Sequence, residues 1–464
     1  MKYKSLFLLL FYGILTTACP SQTGNARKII EAYVTAFNSG EAAMRNFLTD
    51  NISDASLKQR PLEVRLPIYR QMKGEMGELT LQQIQENTNT SITALMHTKN
   101  DEWFLFTFEL EQEPQHKIIG IRIENTDEPE STTAPKVKEI EALQSVAQFL
   151  DEKTKRGEFS GTVLIAKNGK AILKRAYGMA SKEFKVINRI DTKFNLGSIN
   201  KIFTTIAIGQ LYEQGKISLN DPIIKFLPNY PNKTAAQKVI IRHLLDMTSG
   251  IGDFFGEKFE NTPKDKLRTI DDFLPMFAND SLKFEPGSQR QYSNGGYIVL
   301  GAIIEKISGE SYYDYVREHI FKPTGMLNTE SYEADIPVPN LAEGYTREET
   351  DKPWRKNIYT RPARGSSAGG GYSTAEDLLM FTVALEKNTF FKNPETWEIL
   401  RGEPSGQKSR RQGGLGFFGG APGINSGIET NIGKGFTAIV MSNYDPPTAE
   451  DVMKKIRKFL TNVK

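Results

Sequence analysis

The spacing of apolar residues changes character several times along the chain. Ile29, Ile30, Tyr33, Val34 and Phe37 recur at helical spacing, and a second helix is predicted through Ala42 to Leu48. The period then falls to two: Leu79 to Gln85, Ser91 to Met96, Trp103 to Leu110 and Lys117 to Glu124 read as strands, with Asn100-Asp101 as a turn. Asn125 to Lys136 holds no apolar residue larger than alanine or proline and reads as a linker. Beyond it Val137, Ile140, Leu143, Val146, Phe149 and Leu150 return to helical spacing. Thr162 to Ala166 and Ala171 to Ala176 flank Lys167-Asn168-Gly169-Lys170 as a hairpin. Ile202 to Tyr212 and Tyr297 to Ile307 are apolar on nearly every side, the mark of helices buried in a core. Leu415 to Gly420, Gly427 to Ile432 and Phe436 to Ser442 read as three strands before an amphipathic helix from Ala449 to Leu460. Helices and strands at both ends of this stretch predict one antiparallel sheet completed from the two termini, an α+β arrangement.

Four segments follow: 1–18, 19–125, 126–136 and 137–464. Met1 to Ala18, with Lys2 and Lys4 before the apolar run Leu6 to Leu15, is laid out as an export signal and is too short to span a membrane as a helix. Cys19, the only cysteine, follows directly and resembles the lipidated residue of a bacterial lipoprotein, although Thr16 stands where leucine is more usual; release as a soluble exported protein is the alternative. A single cysteine excludes an intrachain disulfide and a thiolate metal cluster. The small unit 19–125, two helices followed by a β-meander, looks like the NTF2-like (SnoaL-like) domains. It would serve as a ligand- or partner-binding module or as a spacer. With a formal net charge of +3 on 464 residues, nothing points to nucleic acid. His97, His116, His243 and His319 lack ligand spacing, so no metal is expected.

Candidate chemistry centres on Ser198-Ile199-Asn200-Lys201. Residues three apart share a helix face, so Lys201 can reach Ser198, and burial in the apolar helix would lower the lysine pKa toward that of a useful base. The same four-residue pattern recurs at Ser405 to Lys408, but in a polar, Pro- and Gly-flanked segment that reads as a loop. Gly365 to Gly371 is glycine-rich yet lacks the Lys-Ser/Thr of a phosphate loop; it reads as a tight turn followed by a capping box opening a helix at Ser373.

Taken together, Ser198-x-x-Lys201, Tyr292-x-Asn294, the Gly365 to Thr374 stretch and Gly419-Gly420-Ala421-Pro422-Gly423 resemble the β-lactamase-related serine hydrolases: class C β-lactamases, DD-peptidases and their esterase relatives. Arg242-His243-Leu244-Leu245, Thr248-Ser249-Gly250 and Phe284-Glu285-Pro286-Gly287 match in order as well. Tyr230-Pro231-Asn232 also fits Tyr-x-Asn but lies too close to Ser198, in a proline-flanked loop.

The resemblance implies a penicillin-binding-protein-like antiparallel sheet with a helical subdomain over 137–464, and no cofactor. It implies that Ser198 attacks a carbonyl, that Lys201 as amine or Tyr292 as phenolate takes the proton, that Asn294 holds Lys201 and the substrate amide, and that Ser198 and Gly420 supply the oxyanion donors. The third motif departs. Where relatives carry Lys-Thr-Gly or His-x-Gly, this chain has Phe417-Phe418-Gly419. The expected substrate is accordingly a neutral ester or amide with an apolar acyl group. The alternatives are a D-Ala-D-Ala peptidase or β-lactamase drawing its cation from Arg410, Arg411 or elsewhere, and a binding or sensor protein that keeps the pocket.

Overall fold

Described by the computed structural model are residues 20–88, 90–99, 102–111, 117–126, 136–347, 349, 352–401 and 414–464. The chain divides into two units, Met1–Thr133 and Ala134–Lys464. In the first, α1 (Pro20–Ser39), α2 (Glu41–Asn51), α3 (Asp54–Gln59) and α4 (Leu62–Met76) precede the strands β1 (Leu79–Asn87), β2 (Ser91–Thr98), β3 (Trp103–Leu110) and β4 (Ile118–Thr126), an antiparallel meander in sequence order. Two of these helices, α3 and α4, were not expected. Pro61 and Pro67 disguise the second: a proline ahead of the first turn costs no backbone bond, and Pro67 forfeits only its own, while Leu66, Tyr69 and Met76 bury one helix face. Tyr33, Phe37, Phe106 and Phe108 fill the centre of this unit. The predicted Asn100-Asp101 turn lies outside the described residues.

The second unit follows from alternation along its strands. After α5 (Glu139–Lys155) come β5 (Gly161–Lys167) and β6 (Lys170–Tyr177); the helices α6 (Asn200–Glu213), α7 (Asn294–Ser308) and α8 (Ala375–Glu386) lie in the long middle stretch; β7 (Gly416–Ala421), β8 (Ile424–Ile432), β9 (Phe436–Ser442) and α9 (Thr448–Thr461) close the chain. The sheet runs β7-β8-β9-β5-β6, all antiparallel, and β9 pairs with β5 from Phe436 opposite Lys167 to Ser442 opposite Gly161. Val163 and Ile165 point to one face, where Val146 and Leu150 of α5 and Val452 and Ile456 of α9 cover them. Leu164 and Ala166 point to the other, into the large core built on Phe203 and Ile206 of α6 and Ile298 and Ile303 of α7. Each such aliphatic side chain contributes about 1.5–3 kcal/mol by leaving water, so both faces of the sheet are committed to packing.

One local expectation is corrected. The cap of α8 is Thr374, whose hydroxyl accepts from Asp377 N–H at 3.2 Å, rather than Ser373. Ser373 sits in a two-residue strand opposite Phe194, with its hydroxyl 2.7 Å from that of Thr329.

Candidate active site

A 3₁₀ turn, Gly197–Ile199, delivers the chain into α6, with Gly197 at φ +50°. Its tightness is set by the neighbouring strand. A Cβ on Gly197 would lie 2.8 Å from the Gly420 nitrogen, and one on Gly419 would lie 2.0 Å from the Leu196 carbonyl oxygen and 2.7 Å from the Ser198 nitrogen. Only glycine lets β7 lie against the turn this closely. Ser198 and Gly420 are thus brought side by side at the edge of the sheet.

Lys201 follows on the first turn of α6 and is 7% exposed. Its ammonium nitrogen stands 3.2 Å from Ser198 Oγ and 2.6 Å from Asn294 Oδ1, and it also donates to the Ala368 carbonyl. Burial outweighs the pull of the Asp253 carboxylate and lowers the lysine to about 7. A substantial fraction is therefore free amine at neutral pH, within reach of the serine proton.

Tyr292 approaches Ser198 from the other side. Its hydroxyl lies 2.6 Å from Ser198 Oγ, and the residue remains 55% exposed. Partial burial raises the phenol above its usual range; the hydrogen bond to Ser198 opposes the rise and the Asp253 charge adds to it. Of the two bases the sequence left open, the amine is therefore favoured over a phenolate, and Tyr292 is a neutral phenol that can give up a proton. Ser293 caps α7, accepting from Gly296 N–H at 2.9 Å, and so places Tyr292 just ahead of the helix and Asn294 at its first residue.

Two contributors escaped the sequence reading. Asp253 accepts from Asn294 Nδ2 at 2.7 Å, which directs the amide oxygen toward Lys201. The Ala368 carbonyl belongs to the glycine-rich loop, closed by the bridge between Ser366 and Gly369; a backbone carbonyl leaves no residue signature, and a lone aspartate after a loop glycine leaves little more.

On the third-motif strand, Phe417 packs toward the α6 side and lines a cleft with Ser198, Lys201 and Tyr292. The Phe418 ring lies over Gly427 on the face covered by α9. The aromatic facing the cleft is thus Phe417. On the other side of Ser198 a cavity of about 290 Å³ is walled by Phe254, Phe255, Tyr332, Tyr372 and Ile424, among others.

The remaining motif residues take structural places. Tyr230 is buried and Asn232 caps a short helix through Ala235 N–H at 2.9 Å. Arg242 donates to the carbonyls of Ile399 and Leu400 at 2.6 and 3.0 Å. Cys19, Ser405, Arg410 and Arg411 lie outside the described residues.

Comparison with known proteins bears on the same stretch. A family model described as Beta-lactamase matches residues 146–462. Penicillin-binding protein 4* of Bacillus subtilis is 36% identical over 208 residues, 44% of this chain and 45% of that protein, so the match spans less than half the relative's length. The putative penicillin-binding protein PbpX of the same organism is 32% identical over 284 residues, covering 59% of this chain and 67% of the relative. The crystal structure of a penicillin binding protein from Bacillus halodurans superposes with a TM-score of 0.59 at 29% identity, over 68% of this chain and 98% of that one. The five-stranded sheet, the Ser198 turn and the Phe417 strand all fall inside the matched stretch, and through it the chain belongs to the β-lactamase family of serine hydrolases.

Proposed function

We propose that the protein hydrolyses an ester or amide through an acyl-enzyme on Ser198, and that it favours substrates whose leaving group is neutral. One observation carries the reading: Ser198 Oγ is held between a lysine whose burial lowers it to about 7 and a tyrosine hydroxyl 2.6 Å away. The Lys201 amine takes the serine proton as Oγ attacks the carbonyl. The backbone N–H groups of Ser198 and Gly420 stabilise the oxyanion. Tyr292 gives its phenolic proton to the departing group and is returned to neutrality by the Lys201 ammonium. Water then attacks the acyl-enzyme and frees Ser198.

The leaving-group preference follows from Phe417. A bound carboxylate needs a cation or strong donors; the Phe417 ring supplies neither, and the two arginines that line the same cleft are already engaged, Arg290 by the Asp246 carbonyl at 3.4 Å and Arg401 by Glu398 at 3.8 Å. The names of the penicillin-binding relatives favour the second reading, a peptidase or β-lactam hydrolase. Fluorophosphonate labelling tests the nucleophile: label is expected on the wild type and absent from Ser198→Ala, whereas a folded but unlabelled wild type removes the hydrolase reading. Parallel assays with p-nitrophenyl butyrate, nitrocefin and a D-Ala-D-Ala peptide test the class. The butyrate ester is expected to give the highest kcat/KM, and a β-lactam or peptide in first place defeats the neutral-leaving-group reading.

Lipidation at Cys19 is the proposed localisation device, supported by the apolar Leu6 to Leu15 run ahead of it. Among the described residues no helix is long and apolar enough to cross a membrane. Cys19→Ser is expected to move the protein from the membrane to the soluble fraction, and a wild type already soluble and cleaved after Cys19 refutes the anchor.

A further inference from the structure

The cavity beside Ser198 has one feature that the proposed chemistry does not use. Its described lining is aromatic, aliphatic or uncharged polar except for Arg361, the one formally charged residue among them. Arg361 is half-buried and makes no hydrogen bond or ion pair with any described residue. The contrast with its neighbour is sharp. Arg364, three residues on, donates to the Ser331 carbonyl at 2.9 Å, lies over the Tyr313 ring and is 3.7 Å from Glu333. The other basic groups that line a cavity with the nucleophile are likewise engaged, Lys201 by Asn294 and Ala368, Arg290 by the Asp246 carbonyl at 3.4 Å, and Arg401 by Glu398 at 3.8 Å. An arginine left without a counter-charge in an otherwise uncharged cavity bears part of the cost of desolvation and receives no pairing in return. A ligand carboxylate completes it, because the planar guanidinium donates to both carboxylate oxygens at once.

We infer that this cavity is the acyl subsite and that Arg361 selects acyl groups ending in a carboxylate: the preferred substrate is a half-ester or half-amide of a short dicarboxylic acid. This rests on the proposed Ser198 acyl-enzyme and specifies its substrate. The two sides of the nucleophile then have opposite demands. The Phe417 side rejects a charged leaving group, and the Arg361 side asks for a charged acyl group. At about 290 Å³ the cavity is at the small end of ligand sites, which suits an acyl chain of a few carbons packed along Phe254, Phe255 and Tyr332.

Mono-p-nitrophenyl adipate and p-nitrophenyl hexanoate share a six-carbon acyl chain and differ only in its end, so their kcat/KM ratio measures the subsite and cancels differences in catalytic competence. The wild type is expected to favour the adipate ester, mainly through KM. Arg361→Gln is expected to reduce the ratio roughly 10- to 100-fold, the range of a charge-assisted hydrogen bond, and Arg361→Lys to retain part of it. A folded Arg361→Gln protein with an unchanged ratio, or a wild type that prefers the hexanoate ester, overturns the assignment.

Calorimetry on Ser198→Ala reads the same subsite without turnover. Monomethyl adipate is expected to bind more tightly than methyl hexanoate, and adding Arg361→Gln to erase the difference. A folded wild type that turns over neither ester, with this binding preference intact in Ser198→Ala, overturns the hydrolase reading and upholds Arg361. Turnover with no binding preference does the reverse.

Discussion

Two Tyr-x-Asn triplets occur in this chain, and they have opposite fates. Tyr230 is 4% exposed in the core and Asn232 caps a six-residue helix, whereas Tyr292 is 55% exposed with its hydroxyl on Ser198 and Asn294 binds the lysine. The residues are chemically the same. What differs is the element that follows. A short helix uses the asparagine as an N-cap, while α7 has Ser293 as its cap and leaves Asn294 free to turn its amide inward. A catalytic triplet is therefore one whose local backbone needs are already met by another residue.

The comparison breaks most visibly at Lys201, which only the second triplet touches. Lys201→Met is expected to lower kcat by at least ~10²–10⁴, the usual cost of losing a general base. Stability should move the other way. The lysine has a lowered pKa in the folded chain, so between about 7 and its ordinary 10.5 the unfolded state holds more protons and folding gains stability as pH rises. Below about 7 the fold must bury the ammonium. Calorimetric melts should accordingly find Lys201→Met more favourable relative to wild type at pH 6 than at pH 9, and an equal difference at both would contradict the buried-amine assignment.

Asp253 gives a smaller effect. Its negative charge favours the lysine ammonium, so Asp253→Asn should lower the Lys201 pKa further and move the acid limb of kcat/KM, expected near pH 7 in the wild type, toward lower pH. A limb that stays in place would mean that the limb belongs to another group.

The smallest effect belongs to the structural triplet. Asn232→Ala removes a cap worth ~1 kcal/mol, lowering the melting temperature while the adipate and hexanoate esters keep their wild-type kcat. A fall in kcat would erase the distinction between the two triplets.

Much of this architecture is legible in the residue pattern, for reasons that can be named. Strand alternation and largely apolar helices reveal the sheet and α6 because burial on both sides leaves few polar positions. Ser198, Lys201, Tyr292 and Asn294 are visible because their spacing is tied to helix starts. The two prolines hide α4, since proline is read as a breaker, although Pro61 precedes the first turn and the buried face of the helix outweighs the one backbone bond lost at Pro67. Asp253, the Ala368 carbonyl and Arg361 lie on loops brought to the site by tertiary packing, where neither period nor spacing marks them. Side chains alternate along β7, so only one of Phe417 and Phe418 can face the cleft, and which one follows only from the face that α9 covers.

The glycine contact between β7 and the serine turn separates two kinds of freedom. At Gly419 any side chain would collide with backbone atoms of the turn at 2.0 to 3.0 Å, so that position admits almost no variation. Two residues earlier, Phe417 reaches into the cleft without touching the spacing that holds Ser198 beside Gly420. Recognition can thus be exchanged at one strand position while the reaction geometry is clamped at another. A scaffold wired this way can change what it cleaves by a single substitution without having to reinvent how it cleaves.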